Sequence, residues 1–213
     1  MNILSAMKKH ENKNKKNLLK RISPAWWLFI LSFLLYANTM YNGYNFDDTF
    51  VVQDNVTVQK GIKAIPEIFT SHYWTEKDNT FGYRPIIRAS FALEMSLWGD
   101  HPAMSHLVNI LLYALGVFVA FKVIRKIFFQ IPEWIIFSGF LLFISHPLHT
   151  EVVASLKNRE DLLVFLLGFI SINIFLLYYN SKKILWLFLG FIVFFITWYW
   201  PTREISKIKF LDI

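Results

Sequence analysis

The 213-residue sequence is 55% hydrophobic and only 17% charged, and it carries a formal net charge of +7 with no cysteine. A soluble domain carries about a quarter charged residues, so this composition points to a chain that lies largely in lipid. The missing cysteines exclude a disulfide framework and a thiolate metal site. The basic balance does not read as a nucleic-acid surface, because no basic stripe with interleaved aromatics stands in a polar region.

Seven of the 22 Lys and Arg residues fall within the first 21 positions, from Lys8 to Arg21. This basic tail, residues 1–24, precedes the first apolar run, Ala25 to Tyr41, which contains no charge. The run exceeds the roughly 7–15 apolar residues of a signal peptide and no small-residue cleavage site follows it. It reads as an uncleaved anchor with its amino terminus in the cytoplasm. A long polar loop, 42–105, comes next. Within it, Ile62, Ile65 and Phe69 share a helical face around Pro66. A second helical stretch runs from Arg84 to Trp98, with Pro85 suited to its first turn. Both stretches read as helices lying on the membrane surface.

Four further apolar runs follow, giving spans at about 25–41, 107–129, 131–146, 162–179 and 184–200. A crossing helix needs about 20 apolar residues. The second span reaches that length only with Lys122, Arg125 and Lys126 snorkelling, and the third has an uncharged stretch of 12 residues, Trp134 to Ser145. The expected architecture is an all-α polytopic membrane protein of about five helices, spanning 25–200, with the long loop external. The short internal loops then hold Lys122, Arg125, Lys126, Lys182 and Lys183, as the positive-inside rule requires. The tail 201–213 carries Arg203, Lys207 and Lys209 on the external side, against that rule, and reads as an irregular end of an interrupted chain.

In that topology, polar residues gather on one face. Asp47 and Asp48 are adjacent carboxylates just after the first span. One carboxylate of such a pair beside an apolar surface can serve as a base that takes a proton from an attacking hydroxyl. The alternative is a pair of solvated loop residues that cap a helix. Arg84 and Arg159 can clamp phosphate through paired N–H donors, or pair with a nearby carboxylate. His146, His149 and Glu151 have the chemistry of metal ligands, but Pro147 breaks the helix between the histidines and the spacing is not that of a zinc-binding helix. They read rather as hydrogen-bond donors to a substrate phosphate or as caps on a span. The sequence holds no nucleophilic triad and no phosphate-cradling glycine loop.

Four groups occur in order: Asn45-Phe46-Asp47-Asp48; Tyr83-Arg84-Pro85-Ile86; His106-Leu107-Val108-Asn109; and His146-Pro147-Leu148-His149-Thr150-Glu151 followed by Asn158-Arg159-Glu160. Together they resemble the transmembrane O-mannosyltransferases that carry tetratricopeptide repeats, the TMTC family, within the wider GT-C class of membrane glycosyltransferases. The resemblance covers residues 25–180. It implies a catalytic first external loop, a mannose-like sugar on a polyprenyl- or dolichyl-phosphate donor, and a hydroxyl acceptor on protein or glycan. It implies Asp47 or Asp48, with Asp47 favoured, as the base. Arg84, Arg159, His146, His149 and Glu151 fall at substrate-binding positions. No cofactor follows from it, and a divalent metal is left open.

Family members continue for several more spans, so the sequence resembles the amino-terminal part of such an enzyme. Two other classes compete with it: a noncatalytic membrane scaffold that binds a partner through the loop, and a transporter. The absence of charged residues from the apolar runs argues against the transporter.

Overall fold

The computed structural model describes residues 23–71, 74–76, 79–81 and 84–199. The basic amino-terminal tail up to Ile22, Tyr83 of the second motif and the carboxy-terminal tail lie outside the described residues.

The first apolar run folds as helix α1 (Pro24–Tyr36), closed by a 3-10 turn over Ala37–Tyr41. Proline suits the first turn because its missing N–H has no partner there. The loop then folds as short helices: α2 (Phe46–Val51), α3 (Val56–Gln59), a 3-10 turn over Gly61–Ala64, and α4 (Ile65–Thr70). A two-stranded antiparallel ladder follows, β1 (Trp74–Glu76) with β2 (Asn79–Phe81), pairing Trp74 with Phe81. The all-α expectation therefore holds except for this small ladder. Helix α5 (Pro85–Trp98) opens on Pro85 as expected and ends at Gly99, whose φ of 73° suits a residue without Cβ.

Helix α6 (Pro102–Ile127) is longer than the second apolar run and starts five residues before it, again on a proline. After α7 (Glu133–Ile144) the chain bends by 67° into α8 (Leu148–Ala154). Pro147 cannot donate to the helix before it, so the break falls there. A 3-10 turn over Leu156–Asn158 leads into α9 (Arg159–Ser181), and Lys182 at φ 55° turns the chain into α10 (Ile184–Tyr199).

Two of the described helical stretches are long and apolar enough to cross a membrane, Pro102–Ile127 and Leu156–Ser181, each with a mean hydropathy of 2.3. The bent pair α7 and α8 makes a third if counted as one span. Helices α1 and α10 are apolar but shorter, with 13 and 16 residues. Trp26, Trp27, Leu34, Phe188, Ile192 and Phe195 are exposed on them. So much exposed apolar surface, beside helices of spanning length, identifies an integral membrane protein.

Helix α6 is the centre of the bundle. It packs against α1, α7, α8 and α9, and the shared core includes Leu28, Tyr36, Ile110, Tyr113, Val117 and Phe121. Gly116 lets α9 approach closely: a Cβ there would meet the Phe165 ring at 2.5 Å. Small residues play this part where helices pack in lipid without a hydrophobic driving force between them. Ser171 on α9 also donates to the Gly190 carbonyl of α10 at 3.1 Å.

The loop has its own core. Val51, Val52, Val58, Ile87, Phe91 and Leu156 form it, roofing the end of the bundle where α6 and α9 begin. The segment around Pro66 turns a different face to the protein from the apolar face of Ile62, Ile65 and Phe69. Gly61, Ala64 and Ile68 are buried, whereas Ile62 and Phe69 are 50% and 41% exposed. Small side chains let this segment settle on Ala92 of α5, with the Ile62 N–H donating to Ser96 Oγ at 2.6 Å.

Candidate active site

Polar residues from each of the four groups meet around one short stretch, Ser155 to Glu160. The α2 end contributes the carboxylates. Asn45 caps α2 in a reciprocal box: its side chain accepts from the Asp48 amide, and its own N–H donates to Asp48 Oδ2 at 3.2 Å. This arrangement satisfies two amides left free by the helix start. Asp48 is fully buried. Its Oδ1 accepts the Lys157 N–H at 2.8 Å and a longer bond from Ser155 Oγ at 3.5 Å. Asp48 thus fastens α2 to the turn before α9. Asp47, one residue earlier, faces outward. Its Oδ2 meets Lys157 Nζ at 2.8 Å, with the two side chains 54% and 44% exposed. The adjacent carboxylates therefore have different environments, and Asp47 is the one accessible to an incoming hydroxyl.

Arg159 is fully buried and has all five of its donors engaged. Nε donates to Asn109 Oδ1 at 2.7 Å. Nη1 donates to Ser90 Oγ at 3.0 Å and makes a short ion pair with Glu94 Oε1. Nη2 donates to Glu94 Oε2 at 3.3 Å and to the Ser105 carbonyl at 3.0 Å. The guanidinium also lies 3.8 Å from the centre of the Phe91 ring. Asn109 donates in turn to the carbonyls of Val153 and Ser155, and Ser105 Oγ to Glu94. A buried charge is tolerable only with such complete pairing. In this arrangement Arg159 ties α5, α6 and α9 together and has no donor to spare for a phosphate.

Arg84 meets Glu160 Oε1 at 2.8 Å, with the side chains 14% and 21% exposed. Both residues also line a narrow apolar cleft between α5, α9 and α10, together with Ile86, Leu163, Val164, Leu167 and Ile196. A cation at the rim of an apolar cleft in a membrane protein suits a ligand with an anionic head and a hydrocarbon tail.

The histidines sit at the α7–α8 break. The bend frees the Ile144 carbonyl and the Leu148 N–H. Tyr36 Oη donates to the former at 3.2 Å, and His146 Nδ1 accepts from the latter at 3.3 Å. His146 therefore caps α8 and, when neutral, carries its proton on Nε2. His149 packs its ring against Phe143 at 4.3 Å and Tyr113 at 5.6 Å. Glu151 is exposed on the first turn of α8. Among the described residues, no three His, Asp or Glu side chains are grouped to hold a metal.

Of the residues singled out from the sequence, the structure brings Asp47, Asp48, Arg84 and Arg159 to the 155–160 stretch and leaves His146, His149 and Glu151 at the α7–α8 break. Sequence reasoning missed Glu94, Ser90 and Ser105, which hold Arg159. The available signal was Glu94 itself, the one acidic residue in the stretch 85–98.

No family model matches the chain, and no solved structure matches it. Among curated proteins, it is similar to protein O-mannosyl-transferase TMTC1 of Homo sapiens, with 34% identity over 67% of this chain. It is also 35% identical to TMTC2 of Homo sapiens over 65% of the chain, and 32% identical to TMTC3 of Homo sapiens over 64%. The matched part spans 17% of the length of the first two relatives and 15% of the third. Identity at this level over about two thirds of the sequence means that the chain belongs to the TMTC-like family.

Proposed function

We propose that this chain carries the membrane and first-loop portion of a glycosyltransferase. It would move a mannose-like sugar from a polyprenyl- or dolichyl-phosphate donor to a hydroxyl acceptor, serine or threonine of a protein being the acceptor class favoured by the relatives' names. The observation that carries this reading is an exposed carboxylate and an apolar cleft served by one short stretch, 155–160: Asp47 is held at Lys157, and Arg84, which lines the cleft, is held at Glu160.

In the proposed topology α1, α6, the α7–α8 pair, α9 and α10 cross the bilayer in turn. The amino terminus is cytoplasmic and the loop 42–105 faces the periplasmic or lumenal side. Lys122, Arg125, Lys126, Lys182 and Lys183 then lie on the cytoplasmic side, which supports this orientation. The fold is that part of the GT-C architecture in which the first external loop covers the donor cleft.

The chemistry is inverting transfer. Asp47 accepts the proton of the acceptor hydroxyl. The hydroxyl oxygen forms a bond to the anomeric carbon, and the bond from that carbon to the phosphate oxygen breaks. Its electron pair leaves with the lipid phosphate, where charge develops beside Arg84. Fixed positive groups at a developing charge are the largest common source of catalysis. The His146 Nε2–H is a further donor for the phosphate or sugar. Asp48 and Arg159 serve by positioning, because their polar atoms are committed within the protein.

The test is sugar transfer to a serine- or threonine-containing peptide from synthetic polyprenyl-phosphate mannose, with the chain reconstituted in liposomes. Asp47→Asn should abolish transfer while leaving membrane insertion normal, and unchanged transfer would remove Asp47 from the mechanism. The second reading is a noncatalytic scaffold. It is favoured by the complete internal engagement of Arg159, and it predicts no transfer by the unsubstituted chain.

A further inference from the structure

We propose that a groove between α6, α7 and α9 binds an anionic phospholipid of the bilayer, with one acyl chain along the groove and the phosphate at Arg125. The site is separate from the cleft beside Arg84 and independent of sugar transfer.

The groove holds about 450 Å³, and every residue lining it is apolar. Ala120, Ile124 and Phe128 follow at four-residue spacing and form one stripe of α6. Gly139 and Phe143 of α7 and Phe169 of α9 complete the walls. Gly139 is exposed, and a Cβ there would meet nothing within 4 Å, so the groove is open at this point. From Ala120 to Phe128 the helix rises about 12 Å at 1.5 Å per residue. One leaflet of hydrocarbon is about 15 Å deep, half of the bilayer core. The groove therefore matches a single acyl chain, and a decaprenyl tail would overrun it.

The charge at its end selects the head group. Helices α6 and α9 both begin at the loop, so both end at the opposite face of the bundle. Lys122, Arg125, Lys126, Lys182 and Lys183 stand on that side, and Glu133 is the one acidic residue in the segments 122–135 and 178–185. Arg125 reaches the groove itself: its Nη1 donates at 3.1 Å to the carbonyl of Ile131, a lining residue. Its Nε meets Glu133 Oε2 at 3.3 Å, which leaves Nη2 without an acceptor among the described residues. A phosphate can pair with Nη2 and displace neither partner. Basic pockets between membrane helices take anionic head groups in this way, and in the proposed topology the site opens to the cytoplasmic leaflet, where anionic lipid is concentrated.

The experiment is native mass spectrometry of the full chain in detergent, titrated with palmitoyl-oleoyl phosphatidylglycerol and, separately, with the phosphatidylcholine of the same chains. The unsubstituted chain should take up one phosphatidylglycerol roughly tenfold more tightly than phosphatidylcholine, the worth of one charge-assisted hydrogen bond. Arg125→Met should erase that preference and leave phosphatidylcholine binding unchanged, and Arg125→Lys should restore part of it. Gly139→Leu fills the open groove without a clash and should weaken both lipids roughly tenfold, whereas Gly139→Ala should bind nearly as the unsubstituted chain does. Both replace glycine by a better helix former, so folding is not at risk. Phosphatidylglycerol bound equally well by Gly139→Leu refutes the groove. A preference that survives Arg125→Met refutes the head-group assignment. Displacement of phosphatidylglycerol by decaprenyl phosphate, but not by further phosphatidylglycerol of shorter chain, would make the occupant a polyprenyl lipid and overturn the proposal.

Discussion

Glu94→Ala should be among the most damaging single substitutions in this chain. The carboxylate accepts two donors from fully buried Arg159 and one from Ser105 Oγ. Its removal strands a guanidinium that has no route to water, since Arg159 is 0% exposed. Removing one member of a buried ion pair costs about 3–5 kcal/mol, most of it the uncompensated charge. The loss should spread to the junction of α5, α6 and α9, because Ser90, Asn109 and Ser105 are aligned by the same guanidinium. Thermal unfolding in detergent, followed by tryptophan fluorescence, should show a midpoint lowered by about 6–20 °C, at 2–4 °C per kcal/mol for a chain of this size. Glu94→Gln, which keeps an acceptor and the shape, should lose less. The double variant Glu94→Met with Arg159→Met should recover much of the loss, because both charges leave together. A Glu94→Ala midpoint within about 1 °C of the unsubstituted chain would refute the assignment of this pair as the tie between loop and bundle.

Asp48→Ala should destabilise the loop by about 1–3 kcal/mol, since it orphans the Lys157 and Asn45 amides; hydrogen exchange at those two amides is the check. Gly116→Ala should cost about 1–3 kcal/mol by forcing Phe165 aside, and Phe165→Leu in the same chain should restore part of it in the same unfolding assay. Tyr44 is held above its ordinary value of 10.0, first by burial and then by its hydrogen bond to Asp100 at 2.6 Å. A raised value favours the neutral phenol in the folded chain. Its contribution is therefore full below about pH 10 and falls away as pH rises from there towards the folded value. Tyr44→Phe should remove that part of the alkaline stability loss, read by absorbance of the ionised phenol alongside unfolding.

The starts of helices were the most legible part of the sequence, because proline marks them by a local rule. Pro85 opens α5 where expected, and Pro102 opens α6 ahead of its apolar run. The polar positions Ser105 and His106 lie inside that helix, before the apolar run, and concealed its true start from a reading based on apolar runs. The third run, with 12 uncharged residues, became a 12-residue helix with a bent continuation, and the cause, Pro147, was visible. The buried face of the 61–68 segment was not, because Gly61 and Ala64 contribute closeness rather than hydropathy.

The site was legible as residue types but not as roles. Nothing in the order Asp47-Asp48 says which carboxylate turns inward. That is decided by the cap with Asn45 and by the Lys157 amide, 109 positions away from Asp48. Arg159 likewise looks like a phosphate ligand until Glu94 is placed beside it by the packing of α5 on α6 and α9.

The central claim is sugar transfer with Asp47 as base, and the anomeric configuration of the product tests it most directly. Liposomes holding the chain, polyprenyl-phosphate mannose and a serine- or threonine-containing peptide would be incubated and the glycopeptide examined by nuclear magnetic resonance. The account predicts a mannosyl peptide of configuration opposite to the donor, formed by the unsubstituted chain and absent with Asp47→Asn. A product that retains the donor configuration, or no product from the unsubstituted chain, would contradict it.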